Sequence, residues 1–371
     1  MTQQLVLLGS GPAHLRLLAR LAKQLPPGAT TGIKITLISR NQRPIDAALS
    51  REFVAGRKKL DDCLIDLEPL VQKTHAQWLE AQAVALDANA QVLQLTDGQE
   101  IRYDWLSINL EPTQDRQRTE LQLPGASANG LFVRPASAFC KLWPNVLELA
   151  TTKALRVAVV CDDASTPQQQ ITAIELALAT HQALPHCAMT LITGGATLAA
   201  TSSTSLRQLL IKTLMNKRIT VLADSATTIK PGEIALASGA RLACDVPVLA
   251  TQTHPLAMAA ASGLTLDGNG LVAVDAALRS ISHPNVLAVG DVDPCVDVQG
   301  DVLAQTLTSL TGLPFATRTD GRSKLLSRLQ FVSTHDGQAI ASWGGYSTHG
   351  RLAAWLKRNL DRSRMASYRA S

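Results

Sequence analysis

A chain of 371 residues with 46% apolar and 18% charged side chains has the make-up of a globular protein of two domains plus a tail, which excludes wholesale disorder. Aromatic content of 4% and a mild net charge of +5 argue against a base-stacking surface, so no nucleic-acid partner is expected. Much of the positive charge lies at the end, where residues 351–371 carry six Arg or Lys and one Asp.

The N-terminus has no positive leader before its apolar run, so no signal peptide is expected. No apolar run approaches the roughly 18 residues of a spanning helix. The six cysteines, Cys63, Cys140, Cys161, Cys187, Cys244 and Cys295, form no C-x-x-C pair. They read as reduced thiols of a cytoplasmic protein.

In chain order, the first unit opens with a predicted buried strand, Gln4 to Leu8. A glycine turn follows, then a helix from about Ala13 to Gln24, with Leu15, Leu18, Leu21 and Leu25 along its apolar stripe. Strands are predicted at Ile33–Ile38, at Val92–Leu95, at 101–104 after the turn Asp97-Gly98, and at Trp105–Ile108. A second unit repeats this order: strand Leu155 to Val160, helix from Gln168 to Thr180, strand Ala188 to Ile192, then 234–236, the turn Ser238-Gly239, 241–245 and strand Val246 to Ala250. Gly98 to Asp104 and Gly239 to Asp245 have the same spacing of six residues. The repeat points to two βαβ halves, each with a small meander and a last parallel strand that ends at a ligand crevice. The chain then returns to the first unit through expected strands at Gly270–Asp275 and Val286–Val289. A C-terminal piece follows, with strands at Leu329–Ser333 and Gln338–Ser342 and a helix near Arg351 to Asp361.

Two motifs in this plan carry chemistry. Gly9-Ser-Gly11 stands between a strand and a helix. Gly9 permits the tight turn, and Gly11 lets the backbone approach a pyrophosphate seated on the helix N-terminus. His14 fills the third glycine position, so looser helix–strand packing is expected there. Ser39-Arg40 stand where an acidic residue would recognise a ribose. Far downstream, Gly290-Asp291 follow a buried strand, where the acid can accept a hydrogen bond from a ribityl hydroxyl. In this order the two motifs close both ends of the chain around FAD.

The chain resembles the FAD-dependent pyridine nucleotide-disulfide oxidoreductase superfamily, in its type II NADH dehydrogenase-like branch. Within it, the chain is similar to the flavoprotein module sometimes joined to selenide, water dikinase. The likeness rests on residues 5–14, Tyr103 to Asn109, Ser280 to Asp291, Phe331 to Trp343 and Arg358 to Met365. The resemblance implies a glutathione reductase-like α/β fold of two Rossmann-like dinucleotide-binding domains, the second inserted in the first. The expected units are 1–115 with 252–325 for FAD, 116–251 for NAD(P), and a C-terminal extension at 326–371. It implies bound FAD, reduction by NAD(P)H, and transfer of electrons to a quinone-like or other small acceptor. The expected FAD contacts are Gly9, Ser10, Gly11, Pro12, Ala13, His14, Ser39, Arg40, Val84, Gly290 and Asp291. It also implies a link to selenophosphate synthetase. No catalytic side chain is identified.

Two departures from the family stand out. Between Val160 and Glu175 the second nucleotide turn has no glycine, and Asp162 and Asp163 stand where a pyrophosphate would sit. Like charges about 4 Å apart repel by roughly 4 kcal/mol at an effective dielectric near 20. The next strand ends at Thr193-Gly194-Gly195, without an acid for a ribose or an Arg for a 2′-phosphate. After Gly290-Asp291 the chain is shorter than the family's, and Asp297 and Asp301 lie near a helix start expected to face the flavin. These departures support a second reading, a degenerate flavoprotein acting as a binding or regulatory module.

Three smaller readings complete the picture. His181, His186 and Cys187 read as a surface loop and not a metal site. Glu175 either faces the nicotinamide or flavin or is a paired or solvated helix residue. Leu352, Trp355, Leu356 and Leu360 share one face of the last helix, which either packs on the body or makes peripheral contact with an anionic membrane.

Overall fold

The computed structural model describes residues 3–25, 32–111, 113–163, 165–195, 197–199, 202–253, 257–289, 296–315 and 329–369, without the side chains of 167 and 296–298. The first unit runs β1 (Gln3–Leu8), α1 (Pro12–Gln24), β2 (Ile33–Ile38), α2 (Ala47–Val54), α3 (Glu68–Thr74) and β3 (Gln77–Leu79). A meander of β4 (Ala83–Asp87), β5 (Val92–Leu95) and β6 (Glu100–Arg102) leads into β7 (Trp105–Ile108). The second unit runs α4 (Arg116–Gln122), α5 (Ala126–Asn129), β8 (Leu131–Phe132), α6 (Ala136–Thr152), β9 (Arg156–Val160), α7 (Pro167–Ala183), β10 (Ala188–Ile192), α8 (Thr204–Asn216) and β11 (Thr220–Leu222). Its meander is β12 (Ala226–Lys230), β13 (Glu233–Leu236) and β14 (Arg241–Ala243), and β15 (Val246–Leu249) closes it. The chain then forms α9 (Ala257–Ala260), β16 (Val286–Ala288), α10 (Val296–Thr311), β17 (Leu329–Ser333), β18 (Ala339–Trp343), β19 (Tyr346–Gly350) and the C-terminal helix α11 (Arg351–Arg369).

The central strands of both parallel sheets are covered on two sides and are accordingly apolar over their buried lengths. Leu5 to Leu8 and Val157 to Val160 are all buried. The first sheet has the order β16-β7-β1-β2-β3 and the second β11-β10-β9-β15-β8. In each, successive strands leave the first βαβ strand in one direction, and a later strand, β7 or β15, pairs on its other side. The reversal lies between β1 and β7 in the first sheet and between β9 and β15 in the second. Open α/β sheets form their ligand crevices at such points, beyond the carboxyl ends of the strands.

Several expectations needed correction. Residues 270–275 make only isolated bridges, Leu266 to Val272 and Val274 to Ser280, and no continuous strand. The last helix runs eight residues further than expected, to Arg369, and the strand β19 precedes it. Its buried face is Ala353, Ala354, Met365 and Tyr368, whereas Leu352 is 78% and Trp355 56% exposed. The helix does pack on the body, with Ala353 and Ala354 close against Ala339 and Ala341 of β18 and Met365 and Tyr368 in the core of the first unit. Of the expected stripe, Leu352 and Trp355 face outward, while Leu356 and Leu360 are partly buried.

The C-terminal extension ties the two units together. Val332 and Ile340 join the core of the second unit, and Met365 and Tyr368 join that of the first. Fully burying a side chain of this size contributes about 1.5–3 kcal/mol. Among the described residues no helix is long and apolar enough to cross a membrane.

Candidate functional site at the two switch points

At the first switch point the glycine turn is held against the end of β7. Gly9 has a φ of +97°, its amide donates to the Ile38 carbonyl at 2.8 Å, and the Gly11 amide donates to the Asn109 carbonyl at 3.0 Å. A Cβ on Gly9 would lie 2.4 Å from the Asn109 carbonyl oxygen, and one on Gly11 2.2 Å from Asn109 Oδ1. Both glycines are thus required by the close approach of a neighbouring strand, before any ligand is considered.

Asn109, to which the sequence assigns no role, organises the turn. Its Oδ1 accepts from the Ala13 amide at 3.0 Å and from the His14 amide at 3.4 Å, and its Nδ2 donates to the Val289 carbonyl at 3.3 Å. These two amides are among the unpaired donors of the first turn of α1, which carries no acidic residue and no cap from its own side chains. The clue in the sequence is an amide residue at the carboxyl end of an otherwise apolar strand.

His14 fills the space between helix and strand at the third glycine position. The ring is fully buried and lies between helix and strand, with Nδ1 2.7 Å from the Gly9 carbonyl and Nε2 2.7 Å from Ser107 Oγ. A carbonyl only accepts, so Nδ1 carries the proton and Nε2 accepts from the Ser107 hydroxyl. Burial pushes the imidazole down to about 4, against a smaller opposing effect of the Gly9 hydrogen bond, and the ring is neutral.

The other expected contacts distribute as follows. Ser39, at the end of β2, is buried, and its hydroxyl donates to Ser10 Oγ at 2.9 Å. Pro12 opens α1 and is exposed, Arg40 is exposed beyond Ser39, and Val84 is 48% exposed on the meander strand β4. Gly290 and Asp291 lie outside the described residues. Asp301 does not stand as a free charge near a flavin face. It pairs with Arg20 of α1, because α10 packs along that helix. The side chain of Asp297 lies outside the described residues.

The second switch point is filled by its own side chains. Asp162 Oδ2 accepts from the Gln252 amide at 2.7 Å, and Oδ1 accepts from Ser165 Oγ at 2.8 Å. Asp163 Oδ1 accepts from Ser225 Oγ at 2.5 Å. Thr166 caps α7, accepting from the Gln169 amide while Gln169 Oε1 takes the Thr166 amide. Gly194 has a φ of +69°, and a Cβ there would lie 2.3 Å from the Asp162 carbonyl carbon. Glycine therefore occupies the usual ribose-recognition position because the Asp162–Asp163 backbone covers it.

Glu175 is a paired residue. It is 4% exposed, with Oε2 2.7 Å from Arg51 Nε on α2 and Oε1 accepting from the Ser333 amide at 2.6 Å on β17. It joins both units and the extension through these contacts. Of the cysteines, Cys63, Cys140, Cys161, Cys187 and Cys244 are free, and Cys295 lies outside the described residues. Burial pushes Cys63, Cys140 and Cys161 up to about 12 and Cys244 up to about 11, so these four are thiols at neutral pH. Among the described residues no cluster of His, Cys, Asp or Glu could hold a metal.

Residues 171–310 match the family model described as pyridine nucleotide-disulphide oxidoreductase. A type II NADH:quinone oxidoreductase of Staphylococcus saprophyticus is 28% identical over 108 residues, which is 29% of this chain and 26% of that protein. The matched segment thus spans about a quarter of that curated relative. In three dimensions the chain is similar to the sulfide:quinone oxidoreductase of Aquifex aeolicus, with a TM-score of 0.78, 15% identity and coverage of 100% of this chain and 92% of that one. It is also similar to NDH2 of Plasmodium falciparum solved with NADH, at a TM-score of 0.73, 13% identity and coverage of 99% and 97%. A third likeness is to a NAD-dependent persulfide reductase of A. fulgidus, at a TM-score of 0.71, 18% identity and coverage of 92% and 64%. The fold is therefore the Rossmann-like fold of these reductase structures, and the likeness to the pyridine nucleotide-disulphide oxidoreductase family model covers residues 171–310.

Proposed function

We propose that the chain is an FAD-dependent oxidoreductase that takes a hydride from NAD(P)H and passes electrons to a small acceptor of the quinone class. The observation that carries this reading is the meeting of Gly9, Gly11 and Asn109 at the first switch point, on a fold and family match shared with such reductases. The first site fits a dinucleotide. Its helix terminus is closed by a neutral carboxamide, which a pyrophosphate can displace, and the first turn of α1 carries no acidic residue. In this reading the amides of Ala13 and His14 hold the pyrophosphate, and neutral His14 fixes the turn from behind. The Ser10–Ser39 pair lies at the ribose side, and Gly290-Asp291 are proposed at the ribityl chain. Bound FAD supplies the capacity to accept a hydride and release electrons singly or in pairs.

The second site does not fit a pyrophosphate as it stands, because Asp162, Asp163 and Thr166 fill it with their own hydrogen bonds. No residue of that unit is assigned to the reductant. Residues 1–115 with 252–325 are proposed as the flavin unit, 116–251 as the second nucleotide-type unit and 326–371 as an extension. The neighbours in three dimensions are reductases and oxidoreductases, which gives the regulatory-module reading no support.

Exposure of Leu352 and Trp355 favours peripheral membrane contact through α11. The stretch Phe331 to Trp343, which resembles the module joined to selenide, water dikinase, supports a link to selenophosphate synthesis as a proposal of its own. Co-purification of a selenophosphate synthetase with the chain tests that link.

The test of the main reading is spectroscopic. The purified chain should be yellow, absorbing near ~450 nm as oxidised flavin does, and should bleach anaerobically on addition of NADH or NADPH. A preparation that takes up no FAD defeats the reading, and a yellow one that no nicotinamide nucleotide bleaches removes the reductant from it.

A further inference from the structure

A cavity of about 280 Å³ opens between α2, the segment 57–62 and the C-terminal helix α11. Five cations line it: Arg57, Lys58, Arg358, Arg362 and Arg369. The lining also contains Glu52, Asp62 and Asp361, and the state of these acids decides what the cavity can hold.

Each acid is already engaged. Glu52 Oε1 accepts from Ser333 Oγ at 3.1 Å and lies 3.5 Å from His335 Nδ1, while Oε2 lies 3.7 Å from Arg57 Nε. Asp361 is held by Lys357 at 2.9 Å and Arg364 at 2.8 Å, neither of which lines the cavity. Asp62 caps its own turn by accepting from the Lys59 amide at 3.3 Å. Among the described residues Lys58, Arg358 and Arg362 have no acidic partner.

The arrangement of the arginines is geometric. Arg351, Arg358, Arg362 and Arg369 follow one another at intervals of seven, four and seven, which at about 100° per residue puts them within about 40° of each other on the helix. The buried Ala353, Ala354, Met365 and Tyr368 centre about a quarter turn away from this row, and Arg351, Arg358, Arg362 and Arg369 are all exposed, so the arginines form a stripe along the flank of the helix beside the cavity. Leu49 and Met365 give the floor an apolar part. Guanidinium groups match phosphate oxygens in pairs, and several of them around one concave site select a multiply charged anion over a carboxylate.

We propose that this cavity binds a phosphate-bearing anion, gripped by Arg358 and Arg362 from α11 and by Lys58 from the opposite wall. Such a ligand would bridge the first unit and the C-terminal extension. Its source is either a soluble polyphosphate compound or the headgroup of an anionic lipid. The site is independent of the flavin, and its occupancy does not depend on the oxidoreductase reading.

The experiment uses the full chain as purified, titrated with inorganic pyrophosphate in a calorimeter at low salt, and separately sedimented with phosphatidylcholine vesicles with and without phosphatidylglycerol. One variant is Arg358→Ala with Arg362→Ala. A second, Lys58→Ala, removes the opposite wall without touching α11, and circular dichroism verifies that both fold. Saturable binding to either probe, weakened about tenfold or more in both variants, supports the site. Pyrophosphate binding identifies a soluble ligand, and binding only to phosphatidylglycerol vesicles identifies a headgroup. Absence of binding to both probes overturns the proposal. So does binding that the folded variants retain at full strength, which would place the anion elsewhere, for instance at the glycine turn.

Discussion

Asn109 Oδ1 stands 3.0 Å from the Ala13 amide, so the carboxyl end of β7 closes the N-terminus of α1 across 96 residues of sequence. The oxygen occupies the place at which a helix terminus of this type receives a phosphate. Asn109→Asp keeps that acceptor and adds a charge. The variant should fold with stability changed by no more than about 1–2 kcal/mol, since it loses the Nδ2 bond to Val289 but gains a favourable charge at the helix terminus. Its retained flavin should fall about tenfold or more through repulsion of the pyrophosphate. Equal flavin content in the two purified proteins would refute the placement of the pyrophosphate.

His14 predicts a pH dependence of stability. Its folded pKa of about 4 lies below the ordinary imidazole value of 6.5, so between these values the unfolded chain binds the proton and the folded chain does not. Stability is complete above about 6.5 and declines as the pH falls toward about 4, by about 2 kcal/mol between pH 6.5 and 5. His14→Asn removes the titration. Urea unfolding at pH 7 and pH 5 should give a smaller pH difference for this variant than for the parent. An identical difference would assign the effect to other groups.

Glu175 and Arg51 form a pair with side chains only 5% and 17% exposed. Removing one charge strands the other, so Glu175→Gln should lower stability by about 3 kcal/mol. Adding Arg51→Met should recover a large part, since no buried charge then remains. Chemical denaturation of the three proteins provides the check. A double variant no more stable than Glu175→Gln alone would show that the charge is not the cause.

The carboxylates at the second switch point bear on the reductant. Asp162→Asn with Asp163→Asn preserves hydrogen-bonding capacity and removes two negative charges from the turn. If NAD(P)H meets this turn, its KM should fall about tenfold while kcat changes little, because the gain is in ground-state binding. An unchanged KM would mean that the reductant enters by another route.

The parallel strands were legible because burial on both faces gives an uninterrupted apolar run. Ile33–Ile38, Trp105–Ile108 and Ala188–Ile192 occur with the bounds their patterns predict. The glycine turn and the duplicated meander were legible for a similar reason, since both depend on local backbone demands. Residues 270–275 misled because alternating apolar residues also occur in bridged loops. The stripe on α11 misled because Leu352 and Trp355 stay largely exposed, while two alanines make the close approach to the sheet.

From the sequence alone came the α/β duplication, the tight turn at residue 9 and the lack of glycine in the second turn, all of which depend on residues close together in the chain. The tertiary structure alone decided that Asn109 closes the first helix, that Asp162 bridges to Gln252, and that Glu175 pairs with Arg51. These contacts join residues 90 or more positions apart, and periodicity carries no information about which distant groups converge. Only the folding of the strands, which brings their carboxyl ends side by side, sets those distances.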